Sequence, residues 1–381
     1  MIKKIVVQNF FSFGTEQTIE LNADTNILVG INGTGKSNFI KVIRLLQEGI
    51  KGNFEKLFSQ KWGGFSGTCN FINPEVNEIK IGYHFDGEQL EKNAISPGTN
   101  IEKEIYAVIY TITIKKISSS NYELFEELLV NKDNINIDFS EKSDDIHELQ
   151  ISHLREFGSW YPFFLKKSIE KISIYDHFDT SFNGILRQLS PYYSENKLLS
   201  DGKNLTALLS YLNGNSIKAY DKIIEELKNV NPNFKELVFT TPLAGKSLMS
   251  LKEKNLDKAI TIEHISDGTL RYLLLLSIFY NPNRGSIVCI DEPEAGLHPD
   301  MINGIARGIK YAAQSGTQMI IATHSPLLLN AFELEDLKIF EKDNDNQTVI
   351  KSVSEDDFPD WEGEFLTGQM WLRGELGGVR W

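Results

Sequence analysis

Cysteine is nearly absent from this chain of 381 residues, with Cys69 and Cys289 the only two. They stand far apart in apolar or mixed sequence, which argues against a disulfide framework and fits a reducing cytosol best. Long hydrophobic runs are lacking too. The longest, Tyr272 to Tyr280, is about half of the roughly 20 residues that a spanning helix needs, so no membrane anchor is expected. Basic charge is also short, with 39 Lys and Arg against 52 Asp and Glu and a net charge of -13. Such a field repels phosphate and disfavours a free-standing binder of nucleic acid or anionic lipid, so a local basic patch or a partner would have to supply any DNA contact. The N-terminus, MIKKIVVQNF, shows no secretory pattern, and no sustained heptads mark a long coiled-coil arm.

What is present is enough for a large core. Hydrophobic residues make up 41% and aromatics 11%, which predicts a globular chain of two lobes or domains. Ile5 to Val7, Thr18 to Leu21 and Ile27 to Val29 read as strands. After Lys36 the pattern turns helical, with Phe39, Ile43, Leu46 and Ile50 on one face. The segments EIKIGYHF, YAVIYTITIKKI and ELLV predict antiparallel strands up to about Val130. From 131 to 260 a mostly helical insertion is expected. Beyond it a buried helix from Ile265, an apolar strand Ile287 to Ile290, an amphipathic helix after Pro299 and a strand Met319 to Ala322 spell a βαβ unit.

Three short stretches carry chemistry. GINGTGKS, Gly30 to Ser37, matches G-x-x-x-x-G-K-[ST] between a strand and a helix, the context that a phosphate-binding loop requires. Its glycines let successive N–H groups face a phosphate, and the helix N-terminus adds its dipole. Lys36 would reach the β and γ phosphates, and Ser37 would offer its hydroxyl to Mg²⁺. SIVCIDEPEAGLHP delivers Asp291 and Glu292 at the C-terminal end of a strand, where ligands of parallel sheets bind. Asp291 suits Mg²⁺, and Glu292 suits a general base toward water. IIATHSP places His324 at the end of another buried strand, where it could sense a γ-phosphate. The acids in SEKSDDIHE and SEDDFPDWEGE read as solvated loops.

Phosphate loop, then ISDGT, then a strand ending in DE, then a strand ending in TH, resembles the order in ATP-binding-cassette ATPases. The wording GxNGxGKS, NFFSFG, DEPEAGLHP and THSP is closest to the SMC, RecF and OLD-like branch. The resemblance covers the first fifty or so residues and Glu263 to about Leu329. It implies an α/β fold: an ABC-ATPase (P-loop NTPase) head with a mixed-sheet N-terminal lobe, a parallel core sheet and a helical insertion. Domains are expected at 1–130 and 261–345 for the two ATPase lobes, 131–260 for the insertion and 346–381 for a Trp-rich tail.

The resemblance also implies roles. Gly30, Asn32, Gly33, Thr34, Gly35, Lys36 and Ser37 would bind ATP, with Mg²⁺ on Ser37 and Asp291. Glu292 and His324 would serve the water and the switch. Ser266, Asp267 and Gly268 would form a signature that touches the γ-phosphate in trans, so a homodimer or higher oligomer is expected. Asp267 alternatively caps the helix. The signature reads ISDGT rather than LSGGQ, against a transporter. Gln60 is a candidate for the connecting-loop glutamine, and Phe13 and its neighbours lie near where that branch handles the base.

Only 57 residues follow His324, too few for the Toprim nuclease domain fused to many OLD-like ATPases. The expectation is therefore an ATPase sensor or scaffold of a prokaryotic anti-phage system with a separate effector, such as a nuclease. Compact ATPases of abortive-infection, Septu-like and PARIS-like systems resemble it. The alternative is a RecF-like, ATP-dependent DNA clamp. In the tail, Trp371 and Trp381 flank paired glycines and could dock on the core or anchor a partner.

Overall fold

A computed structural model describes residues 1–70, 76–94, 107–118, 121–132, 135–142, 149, 161–191, 196–243, 245–358 and 366–377. Trp361 and Trp381, and several acids of the two loop stretches (Asp144, Asp145, Glu148, Asp360, Glu362, Glu364), lie outside them. The chain forms two compact units. The first is built from Met1–Ile172 and a return segment that starts at Leu334; the second from Ser173–Glu333 and a short helix near the C-terminus.

In chain order the first unit opens with β1 (Ile2–Gln8), β2 (Gln17–Glu20), β3 (Thr25–Val29) and α1 (Lys36–Ile50), then α2 (Gly64–Thr68). It continues with β4 (Glu78–Asp86), α3 (Gly87–Ala94), β5 (Ala107–Lys116), β6 (Tyr122–Lys132), β7 (Ile135–Lys142) and α4 (Tyr161–Glu170). The second unit holds β8 (Ile172–Tyr175), β9 (Ser190–Pro191), α5 (Leu205–Asn215), α6 (Ile217–Val230), β10 (Phe234–Leu243), β11 (Lys246–Glu253) and β12 (Ile260–Thr261). Then come α7 (Asp267–Phe279), β13 (Ile287–Asp291), α8 (Pro299–Gln314), β14 (Gln318–Thr323) and α9 (Pro326–Leu329). The return segment supplies β15 (Leu337–Lys342) and β16 (Thr348–Ser352), and α10 (Thr367–Arg373) follows.

Within the first unit, a six-stranded antiparallel sheet runs β2-β1-β4-β5-β6-β7. Its strands alternate buried and exposed residues, as in Ile79, Ile81, Tyr83 and Phe85 of β4, so one face meets the core. Beside α1 lies β3, which is buried at every residue and pairs in parallel with β15. The expected helical face, Phe39, Ile43, Leu46 and Ile50, is buried.

In the second unit β13 pairs in parallel with β14, with Asp291 level with Ala322. The intervening α8 completes the βαβ unit, because Ile302, Ile305, Ile309 and Ala312 are all buried. Among the described residues of the span 131–260, the helices α4, α5 and α6 are joined by an antiparallel hairpin of β10 and β11. Ser247, Met249 and Leu251, at alternate positions of β11, are all buried.

A buried carboxylate ties three helices of this unit together. Glu226 of α6 takes two hydrogen bonds from Arg307 of α8, at 2.9 and 2.5 Å, and one from Tyr280 at 3.1 Å at the end of α7. Burial alone would raise its pKa, but the Arg307 hydrogen bonds and charge outweigh this and hold it below the usual 4.5. The depressed pKa means that its contribution is present above about pH 4.5 and is lost as pH falls through the folded value. Glu226→Gln should cost about 2–3 kcal/mol at neutral pH, since it leaves Arg307 and Tyr280 with a weaker acceptor. Thermal melts of parent and variant should differ most above pH 4.5 and converge only as the pH falls through the lower folded value.

Candidate functional site

The phosphate loop is shaped from below. Gly33 and Gly35 adopt positive φ, 85° and 109°, in the left-handed region that side chains resist. A Cβ on Gly35 would also lie 2.3 Å from Thr348 Oγ1 and 2.7 Å from Ser12 Oγ. Those hydroxyls form the floor of the loop: Thr348 donates to the Thr34 carbonyl at 2.7 Å and sits 2.7 Å from Ser12. Asn38 donates to Ser12 as well, at 2.9 Å. Ser12 belongs to the NFFSFG turn, where Asn9 and Phe11 are themselves left-handed, with φ of 56° and 49°.

At the mouth, Asn32, Gly33 and Ser37 are exposed, while Lys36 is only 5% exposed. Its ammonium donates to the Gly30 and Ile31 carbonyls, at 2.7 and 3.1 Å, and so spans the loop. No side chain caps the first N–H groups of α1, whose N-cap is Gly35. An uncapped helix start, a curled glycine loop and a spanning ammonium fit a phosphate group. The exposed Ser37 hydroxyl is the oxygen donor suited to Mg²⁺.

Two candidates around this loop come out differently. Phe13 has no exposed surface, so it belongs to the core and is not positioned to stack on a base. Its neighbour Phe11 is partly exposed, lies 5.5 Å from the Trp62 ring and carries the Lys41 ammonium 4.1 Å over its face. Gln60 is exposed and lines a surface hollow of about 380 Å³ with Arg44, Glu48 and Lys56.

The second unit brings the other candidates together. Apolar β13 ends at Asp291, and Glu292 follows with φ of 49°, a conformation that costs a non-glycine residue about 1–3 kcal/mol. Its N–H is held by the Ala322 carbonyl of β14 at 2.9 Å. The exposed His324, one residue past β14, has Nδ1 3.4 Å from a Glu292 carboxylate oxygen. Sequence reasoning missed what lies beneath: Glu294, 9% exposed, accepts the Thr323 hydroxyl at 2.5 Å and the His324 N–H at 3.2 Å. Arg271 of α7 donates to the Glu292 carbonyl at 3.2 Å. Burial lowers the Arg271 pKa, and the charges of Glu294 and Glu292 work against that shift. Glu294 is visible in DEPE as a second acid, but nothing local links it to a threonine 29 residues on.

The ISDGT turn opens α7. Ser266 is the N-cap, accepting the Thr269 N–H at 3.2 Å, so the capping role considered for Asp267 falls to its neighbour. Asp267 sits in the first turn and pairs with Arg187. Gly268 passes close to the loop after the acids, since a Cβ there would lie 3.3 Å from the Gly296 carbonyl. The greasy remainder, Leu270 and Leu273 to Leu276, is core. Near the C-terminus, α10 docks on its own unit: Thr367 donates to the Phe332 carbonyl at 2.8 Å, and Trp371 is 5% exposed.

The fold is that of an ABC-type ATPase head of the SMC and OLD-like kind. Residues 25–330 match the family described as "AAA domain, putative AbiEii toxin, Type IV TA system", and the chain belongs to that family. It is 30% identical over 177 residues to the Old nuclease of Escherichia phage P2, covering 40% of this chain and 30% of that protein. It is 35% identical over 71 residues to the OLD nuclease of Thermus scotoductus, covering 18% and 13%. The chain thus spans less than a third of the length of these curated relatives.

Among solved structures, an SMC head bound to the C-terminal winged-helix domain of ScpA is similar in fold, with a TM-score of 0.59 and 14% identity over 93% of this chain and 98% of that one. So is a Pyrococcus furiosus Smc head with an extended coiled coil, bound to the C-terminal domain of ScpA, at 0.54 and 12% over 95% and 98%. No helix among the described residues is long and apolar enough to cross a membrane.

Proposed function

We propose that this chain binds and hydrolyses ATP, closes in pairs around it, and serves as the sensor or scaffold ATPase of a prokaryotic anti-phage system whose effector is a separate protein. The observation that carries the hydrolytic part is the pairing of Glu292 and His324, 3.4 Å apart, just beyond the ends of two adjacent parallel strands. A carboxylate in that position takes a proton from water. The imidazole beside it can donate a hydrogen bond to the γ-phosphate and report whether that phosphate is present.

In this reading Gly30, Asn32, Gly33, Thr34, Gly35 and Lys36 hold the phosphates, and Ser37 and Asp291 are the oxygen donors for Mg²⁺. The ion, when bound, neutralises charge that builds on the phosphate oxygens. Ser266 and Gly268 of one copy, together with the backbone N–H of Asp267, meet the γ-phosphate held by the other, because the N–H groups at the start of α7 attract an anion. Hydrolysis removes that charge and loosens the pair, so ATP acts as a glue whose strength is its preference for the closed state.

The defence role rests on the family description, which names a toxin and a toxin–antitoxin system, and on relatives named as nucleases. ATP turnover with and without duplex DNA, on protein purified alone and with its genomic neighbours, tests it. A co-purifying partner whose activity follows the ATP state supports the effector reading. Strong DNA stimulation with no partner replaces it with the DNA-clamp reading.

A further inference from the structure

Arg187 is 6% exposed and belongs to none of the motifs discussed above. Its Nε donates to the Thr180 carbonyl at 3.0 Å, and its Nη1 faces the carbonyls of Ile262, Glu263 and Ile265 at 3.0, 2.9 and 2.7 Å. Nη2 pairs with the Asp267 carboxylate. Ile262, Glu263 and Ile265 lie immediately before the N-cap Ser266. One guanidinium therefore gathers the backbone entering α7 and the first acidic side chain inside it. Lysine could not do this, since it presents a single point charge rather than a planar fork of five N–H donors.

The charge matters as much as the geometry. Asp267 is 66% exposed and stands in the first turn of α7, next to the N–H groups that would receive a phosphate. Uncompensated, its carboxylate would repel that phosphate; paired with a buried cation, most of the repulsion is cancelled.

We infer that Arg187 is a positioning residue for the ISDGT turn: it fixes the backbone that presents Ser266 and Gly268 to the second copy's γ-phosphate and offsets the negative charge of Asp267 there. The inference rests on the paired-closure reading above. The hydrogen bonds of Arg187 go to Thr180, Ile262, Glu263, Ile265 and Asp267, none of them in the phosphate loop, so its loss should spare ATP binding there and weaken pairing.

The test uses the full chain carrying Glu292→Gln, with Mg²⁺ and saturating ATP, and reads the protein concentration at which half is dimeric by light scattering. Binding of a fluorescent ATP analogue to dilute monomer is read separately. Adding Arg187→Lys or Arg187→Gln should raise the dimer midpoint about 10-fold or more, the equivalent of losing one charge-assisted hydrogen bond, with monomer affinity unchanged. Adding Asp267→Asn to Arg187→Gln should recover about 3-fold, the scale of an exposed ion pair. An unchanged midpoint in a folded Arg187 variant overturns the inference, as does a parallel loss of monomer affinity.

If the Arg187 variants melt below the assay temperature, Asp267→Asn alone decides. With Arg187 kept and the carboxylate gone, pairing at equal or lower protein concentration supports the assignment, and weaker pairing overturns it. A Glu292→Gln parent that never pairs defeats the closure reading itself and this inference with it. A parent that pairs regardless of Arg187 defeats only the inference.

Discussion

Glu292→Gln should lower steady-state ATP turnover by about 10²–10⁴-fold, the usual contribution of a positioned general base. The substitution keeps size and hydrogen-bonding shape but removes the ability to take a proton. Binding should survive it, because the phosphate loop is built by Thr348, Ser12 and the loop's own glycines. The Glu292 backbone is left-handed at φ 49°, and glutamine meets the same resistance there as glutamate, so the melting temperature should shift little. Measured side by side, turnover should collapse while the dissociation constant for ATP stays within about 3-fold, less than 1 kcal/mol. Turnover that persists would move the base to another residue. His324→Ala should leave an enzyme that pairs but turns over slowly, since the imidazole stands beside Glu292.

Lys36→Ala should have the second large effect, on binding rather than chemistry. Lys36 is 5% exposed and its ammonium bonds the Gly30 and Ile31 carbonyls, so it spans the loop. Removing it deletes the one positive side chain of the loop and two internal bonds. The dissociation constant for ATP should rise about 10–100-fold, the range of one charge-assisted hydrogen bond. Titration with a fluorescent ATP analogue reads this directly, and an unchanged constant would place the nucleotide elsewhere. Lys36→Arg should not rescue, because the longer planar head cannot reproduce a compact contact with two carbonyls about 3 Å away.

The chemistry-bearing stretches could be found in the sequence because their signals are local. GINGTGKS combines a buried strand, two glycines at positive φ and an amphipathic helix within 26 consecutive residues, Thr25 to Ile50. The β13–α8–β14 unit is equally local, since apolar runs and Pro299 mark its boundaries. What supports these stretches could not be found that way. Thr348 reaches Ser12 across 336 positions, and Arg187 reaches Asp267 across 80. No periodicity encodes either contact; each arises when separate segments pack.

Three smaller differences share a cause. Phe13 stands in the turn expected near the base, yet in the NFFSFG turn, where Asn9 and Phe11 are left-handed, it is fully buried. Ser266 is the cap because α7 begins at Asp267, whose carboxylate pairs with Arg187 instead. The β10–β11 hairpin lies in a stretch whose helical neighbours α5 and α6 dominate the pattern. In each case tertiary contacts decided among local options that the sequence leaves nearly equal.

In the proposed reading, ATP joins two copies through the phosphate loop of one and the ISDGT turn of the other. Sizing of Glu292→Gln by light scattering, with Mg²⁺ and either ATP or ADP, tests it most directly. A dimer or higher assembly is expected with ATP and a monomer with ADP; a protein that stays monomeric at saturating ATP, while binding it, would rule out the paired closure.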